Sequence, residues 1–119
     1  MTSFSFQSTN TILYCRHWIE TVAFYRDKLQ LPITFASDWF IEFRLTDTAR
    51  LSVANEQRAT IKSSHGAGIT LTFQVQEIEQ SHRLLEENGL NPGPIRAHGW
   101  GARVFYFYDP EGHRLEMWS

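Results

Sequence analysis

The sequence carries one succession of patterns twice, and this internal repeat constrains the fold more than any other feature. The β-prone run Thr11–Cys15 is followed by apolar residues at helical spacing and then by three short strand candidates. The alternating segment Ile69–Val75 is likewise followed by a helical segment, Glu77–Asn88, and by further strand candidates. With an offset of about 60 residues, the chain predicts β-α-β-β-β twice.

The first half contains one predicted helix and three predicted strands after it. Apolar residues recur at helical spacing at Trp18, Val22, Tyr25 and Leu29, and they predict one buried stripe. Pro32 ends this helix, because proline cannot donate to the helical hydrogen-bond ladder and restricts the residue before it. The strands that follow, separated by turn-forming residues, are Pro32–Phe35, Trp39–Leu45 and Arg50–Ala54.

The second half ends in a predicted hairpin. Its helix stops at Gly89, a residue type that readily takes the left-handed conformation of a helix C-terminus. The strands Arg103–Tyr108 and Arg114–Trp118 flank residues 109–112, Asp-Pro-Glu-Gly. Asp in first place, Pro in second and Gly in fourth are the preferences of a type I turn.

The segment Asn55–Gly68 joins the two halves. It is polar and without periodicity, so it is predicted to be a loop that serves either as a plain linker or as a mobile lid. As a lid it would hinge at Gly66 and Gly68, and its residues Arg58, Lys62 and His65 could pair with an acidic group of a ligand. The linker is the simpler interpretation, since any two-module chain needs a connection.

Composition and charge exclude several classes of protein. The net charge of −2 argues against a nucleic-acid binder, which usually carries a clustered basic surplus. No stretch reaches the roughly 20 apolar residues that a membrane helix needs, and the start MTSFSFQSTN lacks the pattern of a signal peptide. The single cysteine, Cys15, allows no internal disulfide. We therefore expect a cytoplasmic protein with no nucleic-acid partner and no membrane partner.

Two stretches resemble the signatures of one family. The sequence VAFYRDKL at Val22–Leu29 is similar to the first-helix signature of the vicinal oxygen chelate superfamily, which includes glyoxalases, bleomycin resistance proteins and extradiol dioxygenases. The sequence WGARVFYFYDPEGHRLE at Trp100–Glu116 resembles its closing hairpin. The resemblance implies an α+β fold of two βαβββ modules, whose curved mixed sheets surround a cup-shaped groove and whose helices lie outside. It also implies a single domain over residues 1–119, with modules at about residues 8–58 and about 67–119.

The resemblance also places the positions that hold a divalent metal in the metal-dependent members. These positions fall on Asn10, Ser52, Thr70 and Glu116, and Glu116 alone is a residue type that such sites use. The five histidines are dispersed, no two of them have the spacing of a helical zinc motif, and loop histidines are usually solvated. We therefore expect no bound metal and no other cofactor, with one divalent metal ion as the alternative if the alignment has missed ligands.

Strand alternation predicts which side chains face the groove. Glu116 faces it because Leu115 and Met117 face the other way, and it is the candidate catalytic base or ligand anchor. Trp39, Trp100 and Trp118 are candidates for stacking on a planar ligand, although aromatic residues more often belong to cores or interfaces. Arg103 resembles a recurrent family position, but a pairing with a glutamate or a carbonyl near the hairpin is the favoured interpretation. The complete predicted ligand-binding set is Asn10, Tyr14, Trp39, Ser52, Thr70, Thr72, Gln74, Trp100, Arg103 and Glu116.

Two functions remain open from the sequence. The favoured one is a binding protein that holds a small organic molecule in an aromatic, polar-walled groove without a metal. The alternative is an enzyme of lyase, isomerase or dioxygenase type that uses Glu116 as base or an incomplete divalent-metal site. The resemblance implies a homodimer in either case, since members of the family usually dimerise and so cover an open sheet edge.

Overall fold

A computed structural model describes residues 3–119, and the chain divides into two compact units. The first unit ends at Ser63 and the second begins at Ser64, so the boundary lies inside the predicted connecting loop. Each unit holds one four-stranded sheet, which confirms the predicted α+β architecture of two modules. Met1 and Thr2 of the predicted domain lie outside the described residues. Within residues 3–119, no helix is long and apolar enough to cross a membrane.

The first unit pairs its first strand with its last. The elements are β1 (Thr9–Cys15), α1 (Trp18–Ala23), β2 (Ile33–Ala36), β3 (Phe40–Arg44) and β4 (Ala49–Asn55). A π-helical turn at Phe24–Lys28 continues α1, and a short 3₁₀ turn at Glu56–Arg58 follows β4. The strand order is β1-β4-β3-β2, with β1 parallel to β4 and the other neighbours antiparallel.

One face of this sheet forms the core of the first unit. Leu13 and Cys15 of β1 are buried there, as alternation predicted. They lie beside Val53 of β4, which Leu13 faces directly in the register. The Trp18 indole Nε1 donates to the Val53 carbonyl oxygen at 2.9 Å, so α1 is anchored to the same face. The opposite face is therefore left without a helix of its own unit.

The predicted helix of the first half ends earlier than expected. The Leu29 amide donates to the Phe24 carbonyl, an i→i−5 bond that inserts an extra residue into the turn and shifts the phase of the stripe. Phe24 is consequently buried at 5% exposure, whereas Leu29 is only half-buried. Helical structure ends at Lys28, and Gln30 takes a left-handed φ of 57° before Pro32 is reached. The prediction that Pro32 ends the helix was therefore wrong, because the helix ends before it.

The second unit repeats the arrangement with the elements β5 (Thr70–Gln74), α2 (Ile78–Glu87), β6 (Arg96–Ala97), β7 (Arg103–Tyr108) and β8 (Arg114–Trp118). Its strand order is β5-β8-β7-β6, the first and last strands are again parallel neighbours, and β6 has only two residues. Helix α2 ends before Gly89, whose φ of 82° confirms the left-handed conformation predicted at the helix C-terminus.

Three side chains in the turn between β7 and β8 are buried rather than solvated. The Asp109 Oδ1 accepts from the backbone amides of Glu111 and His113 at 3.0 and 2.9 Å, and its Oδ2 lies 2.8 Å from the His113 Nδ1. Asp109, Glu111 and His113 are 5%, 4% and 3% exposed. His113, expected to be a solvated loop histidine, therefore serves as an internal brace of the turn.

The connecting segment Asn55–Gly68 is more ordered than its composition predicted. In the first unit, the Lys62 Nζ donates to the carbonyl oxygens of Glu56 and Ala59 at 2.7 and 2.9 Å. In the second unit, Gly66 lies so close to the 109–112 turn that an added Cβ would stand 2.1 Å from the Gly112 carbonyl oxygen. Gly66 is therefore required for close backbone packing, and the prediction that it acts as a hinge has no support in this contact.

Candidate functional site

Strand register gathers most of the predicted site residues of the second unit on one face of its sheet. Thr72 and Glu116 are direct neighbours, and Glu116 in turn faces Tyr106 of β7. Helix α2 lies against the other face, where the His82 ring contacts Phe105 at 4.9 Å between centroids. We call the helix-free face the polar face; its members are Thr70, Thr72, Gln74, Arg96, Val104, Tyr106, Tyr108, Arg114, Glu116 and Trp118.

Glu116 is the centre of the polar face, as alternation predicted. Its Oε1 accepts a hydrogen bond from the Thr72 hydroxyl at 2.7 Å, and its side chain is half-buried. Among residues 3–119, Thr72 is the one hydrogen-bond partner of this carboxylate. An ionised carboxylate can accept about four hydrogen bonds, so most of its capacity is available to a ligand.

Arg114 and Tyr106 are two members of the polar face that sequence reasoning missed. The Arg114 Nε donates to the Thr70 hydroxyl oxygen at 3.0 Å, and its guanidinium carbon lies 4.6 Å from the centroid of the Tyr106 ring. The signal was present, since Arg114 stands two positions before Glu116 on the same strand and alternation places both on one face. Thr70 is thereby occupied as the acceptor for an arginine.

Three of the predicted site residues of the first unit, Asn10, Tyr14 and Ser52, also share one face of its sheet, opposite α1. The buried Ser52 hydroxyl donates to the Asn10 Oδ1 at 2.8 Å, and Tyr14 lies on the same face of β1. Glu42 of β3 faces Ser52 directly in the register and accepts from the Thr34 hydroxyl at 2.7 Å. Sequence reasoning also missed this carboxylate on the face of Ser52, although Glu42 alternates with Ile41 and Phe43 in the sequence.

Three other predicted ligand-binding residues lie elsewhere. Arg103 lies on the helix side of β7 and forms an ion pair with Glu79 of α2, which agrees with the pairing interpretation and takes it away from the polar face. The hydrogen bond from Arg103 also lowers the pKa of Glu79 below its ordinary value. Trp39 precedes β3 and packs its ring against Phe40, at 5.5 Å between centroids. Trp100 is 93% exposed in the bend before β7 and contributes to no wall of a site.

The side chains at the four implied ligand positions do not fit a transition metal. In the first unit, the Ser52 hydroxyl is a donor to the Asn10 amide oxygen, the atom of that residue that could bind a cation. In the second unit, the Thr70 hydroxyl accepts from Arg114, which places a positive charge beside that position. Imidazole and carboxylate donors are what such sites require, and Glu116 alone supplies one. Within residues 3–119, no three His, Cys, Asp or Glu residues are grouped for a metal ion.

A surface depression of the second unit lies apart from these residues. It encloses about 370 Å³ and is lined by Gln76, Glu77, Gln80, Ser81 and Leu84, on and just before α2. None of these residues belongs to the polar face. The depression therefore has no part in the chemistry of Glu116.

The chain is similar over almost its whole length to known proteins. The family model described as "Glyoxalase/Bleomycin resistance protein/Dioxygenase superfamily" matches residues 8–117. An uncharacterized protein of Bacillus subtilis strain 168, YraH, is 24% identical over 113 residues, with 84% of this chain and 88% of that protein covered.

Two solved structures show the same fold. A lactoylglutathione lyase from Agrobacterium tumefaciens superposes with a TM-score of 0.76 at 17% identity, covering 92% of this chain and 90% of that one. A glyoxalase/bleomycin resistance protein/dioxygenase from Nocardioides gives a TM-score of 0.78 at 19% identity, covering 99% and 85%. The doubled βαβββ modules and the family match agree, and the chain belongs to the glyoxalase/bleomycin resistance protein/dioxygenase superfamily, the vicinal oxygen chelate superfamily that its two signatures resemble.

Proposed function

We propose that this chain binds a small organic molecule on the polar face of its second sheet, without a resident metal ion. The observation that carries this proposal is the half-buried Glu116 carboxylate, which Thr72 orients and which has spare acceptor capacity. Tyr106 lies beside it and the half-buried Trp118 is next on the same strand, so apolar ring surface adjoins the polar atoms. A few fixed polar groups among aromatic side chains are the usual composition of a small-molecule site.

The metal-free state of this proposal is supported by the donor chemistry. In the metal-dependent members of the family, several strong donors must converge on one ion. In this chain three of those positions carry the neutral groups of Asn10, Ser52 and Thr70, and each has a hydrogen-bond partner within its own unit. Replacing such bonds with weak metal contacts would cost more than it gains.

An enzymatic role remains the alternative, and one observation favours it. A general base must reach the proton it abstracts, and the Glu116 carboxylate has one oxygen free of hydrogen bonds among the described residues. One solved relative carries the name of a lyase. In this alternative Glu116 would take a proton from a ligand that the same face binds, so binding comes first in both functions.

The test combines metal analysis with ligand screening. Protein purified without chelator is dialysed and its zinc, nickel, manganese and iron are measured; we expect far less than one equivalent of each. A metabolite library is then screened by ligand-observed NMR against the wild type, Glu116→Gln and the control Glu87→Gln, whose side chain is exposed at the end of α2. Hits should weaken about fivefold or more with Glu116→Gln, a typical effect of losing a charged hydrogen bond, and stay unchanged with Glu87→Gln.

Two outcomes contradict the proposal. A stoichiometric metal that survives dialysis and is lost in Glu116→Gln would show a metal site. Hits that bind equally well to the wild type and to Glu116→Gln would remove the polar face from the function. Turnover of a hit by the wild type, abolished in Glu116→Gln while binding persists, would establish the enzymatic alternative.

We also propose a cytoplasmic homodimer. In the described part of the chain, β1 pairs only with β4 and β5 only with β8 within their sheets, so each sheet has an open edge. The unpaired backbone groups of such an edge can pair with another chain. Phe4 and Phe6 stack on each other yet are 90% and 80% exposed, which adds apolar surface for a partner. Light scattering should give twice the mass of 13.9 kDa, and a monomer at micromolar concentration would contradict the dimer; cell fractionation tests the location.

A further inference from the structure

Resting on the proposed function, we propose that the molecule bound on the polar face carries a carboxylate and that Arg114 recognises it. Arg114 is not one of the predicted site residues. Its place on β8, two positions before Glu116, puts a fixed positive charge on the same face as the negative one. The ligand class that follows is a small organic acid with a hydrogen-bond donor at some distance from its carboxylate.

The guanidinium of Arg114 is held in position on two sides. Its Nε donates to the Thr70 hydroxyl at 3.0 Å, and its guanidinium carbon stands 4.6 Å from the Tyr106 ring centroid. A guanidinium has five N–H donors, and these contacts use one of them. Among residues 3–119, the two terminal amino groups have no hydrogen-bond acceptor. These groups form the planar fork that binds a carboxylate through two parallel hydrogen bonds.

Several other arginines pair with an acid, whereas Arg96, at the β6 edge of the polar face, is exposed and has no such pair among the described residues. Arg103 pairs with Glu79, and in the first unit Arg26 pairs with Asp27 and Arg58 with Asp38. Arg114 has Glu116 as a same-face neighbour, yet within the described residues the two form no ion pair. Each is bonded instead to a different threonine of β5, and the pair presents two separate charges to a ligand.

The spacing of the two charges sets the shape of the ligand. Residues two apart on a strand have Cα atoms about 6.6 Å apart, so a carboxylate on Arg114 leaves room for a short spacer before the donor that meets Glu116. A singly charged carboxylate suits this site better than a phosphate, because the Glu116 carboxylate would repel a doubly charged group. The Tyr106 ring beside Glu116 offers a flat wall for the spacer.

The experiment compares acids with their neutral amides. A panel of small hydroxy acids and the corresponding carboxamides, led by 4-hydroxybenzoate and 4-hydroxybenzamide, is titrated into ¹⁵N-labelled protein. The variants are Arg114→Gln, Arg114→Lys and the control Arg83→Gln, an exposed position on α2. The dispersion of each spectrum verifies that the variant is folded. If Arg114→Gln does not fold, Arg114→Lys, which keeps the positive charge, takes its place.

We expect the acids to shift the amide signals of β5 and β8 and to bind more tightly than their amides. Arg114→Gln should weaken the acids about tenfold and leave the amides unchanged, Arg114→Lys should fall between, and Arg83→Gln should equal the wild type. Amides that bind the β5–β8 face as tightly as the acids, or acids insensitive to Arg114→Gln, would overturn this inference while the proposed function stands. If no compound of either series, nor of the metabolite library, shifts β5 or β8, both fail.

Discussion

Replacing Gly66 with alanine tests whether the connecting segment packs tightly against the turn that contains Gly112. Gly66 has φ of +83°, and a Cβ built on it would lie 2.1 Å from the Gly112 carbonyl oxygen and 2.2 Å from its carbonyl carbon. Both atoms are backbone, so no side chain can rotate away. Gly112 is itself constrained by a φ of +99°, and the neighbouring 113 position belongs to the buried turn. The two backbones must therefore separate by more than about 1 Å to reach ordinary contact.

The expected loss of stability has two parts. A non-glycine residue in the left-handed region costs roughly 1–2 kcal/mol, and forced overpacking of rigid neighbours costs about 1–3 kcal/mol more. Gly68 separates the two parts, since it has φ of +80° but no atom within 4 Å of an added Cβ. Gly66→Ala should therefore lower the free energy of unfolding by roughly 3–4 kcal/mol and Gly68→Ala by about 1–2 kcal/mol.

Urea denaturation followed by circular dichroism measures both variants against the wild type. A Gly66→Ala protein within about 0.5 kcal/mol of Gly68→Ala would refute the close approach, because backbone conformation alone would then explain both losses. That result would also return the segment to the mobile lid that its composition permits. The larger loss at Gly66 would instead identify residues 64–68 as an integral part of the second unit.

Two further predictions concern polar contacts. Ser52→Ala removes the buried donor to Asn10 and should cost about 1 kcal/mol in urea denaturation, whereas the exposed control Thr34→Val should cost almost nothing; equal losses would contradict the importance of burial. Glu79→Gln should lower the melting temperature at about pH 7 but not at about pH 2.5, because the hydrogen bond from Arg103 holds the pKa of Glu79 below its ordinary value of 4.5 when folded. A carboxyl group with a depressed pKa stabilises the fold at any pH above its ordinary pKa, and this stabilisation is lost as the pH falls through the folded-state pKa. A difference in melting temperature that persists at low pH would therefore contradict the assignment.

Residue alternation was sufficient to predict the faces of the strands. Glu116 lies opposite Leu115 and Met117, and Leu13 and Cys15 are buried together, because period-two patterns translate directly into sheet faces. The repeat likewise predicted two modules, each of four strands and one helix, without any knowledge of contacts between strands. The groove between the modules and the ligand set drawn from both remain predictions.

Features that depend on contacts distant in sequence could not be predicted in the same way. The π-helical turn at Phe24–Lys28 and the approach of Gly66 to Gly112 arise from packing that no local pattern records. Arg103 is different, since alternation with Phe105 would already have placed it on the helix side. The family position of Arg103 and its strand parity indicate different roles, and the structure agrees with parity; the same parity places Arg114 on one face with Glu116.

The parallel pairing of first and last strands also orders the events of synthesis. In the first unit Thr9 pairs with Ala49, so its sheet can close once β4 has left the ribosome. In the second unit Thr72 must wait for Glu116, a partner 44 residues later, and closing that loop has an entropic cost before any contact compensates it. Until β8 arrives, β5 is an unpaired strand with an alternating apolar face. The nascent chain therefore completes the carboxylate of the polar face last, and slow translation through residues 75–113 would prolong its exposure to aggregation.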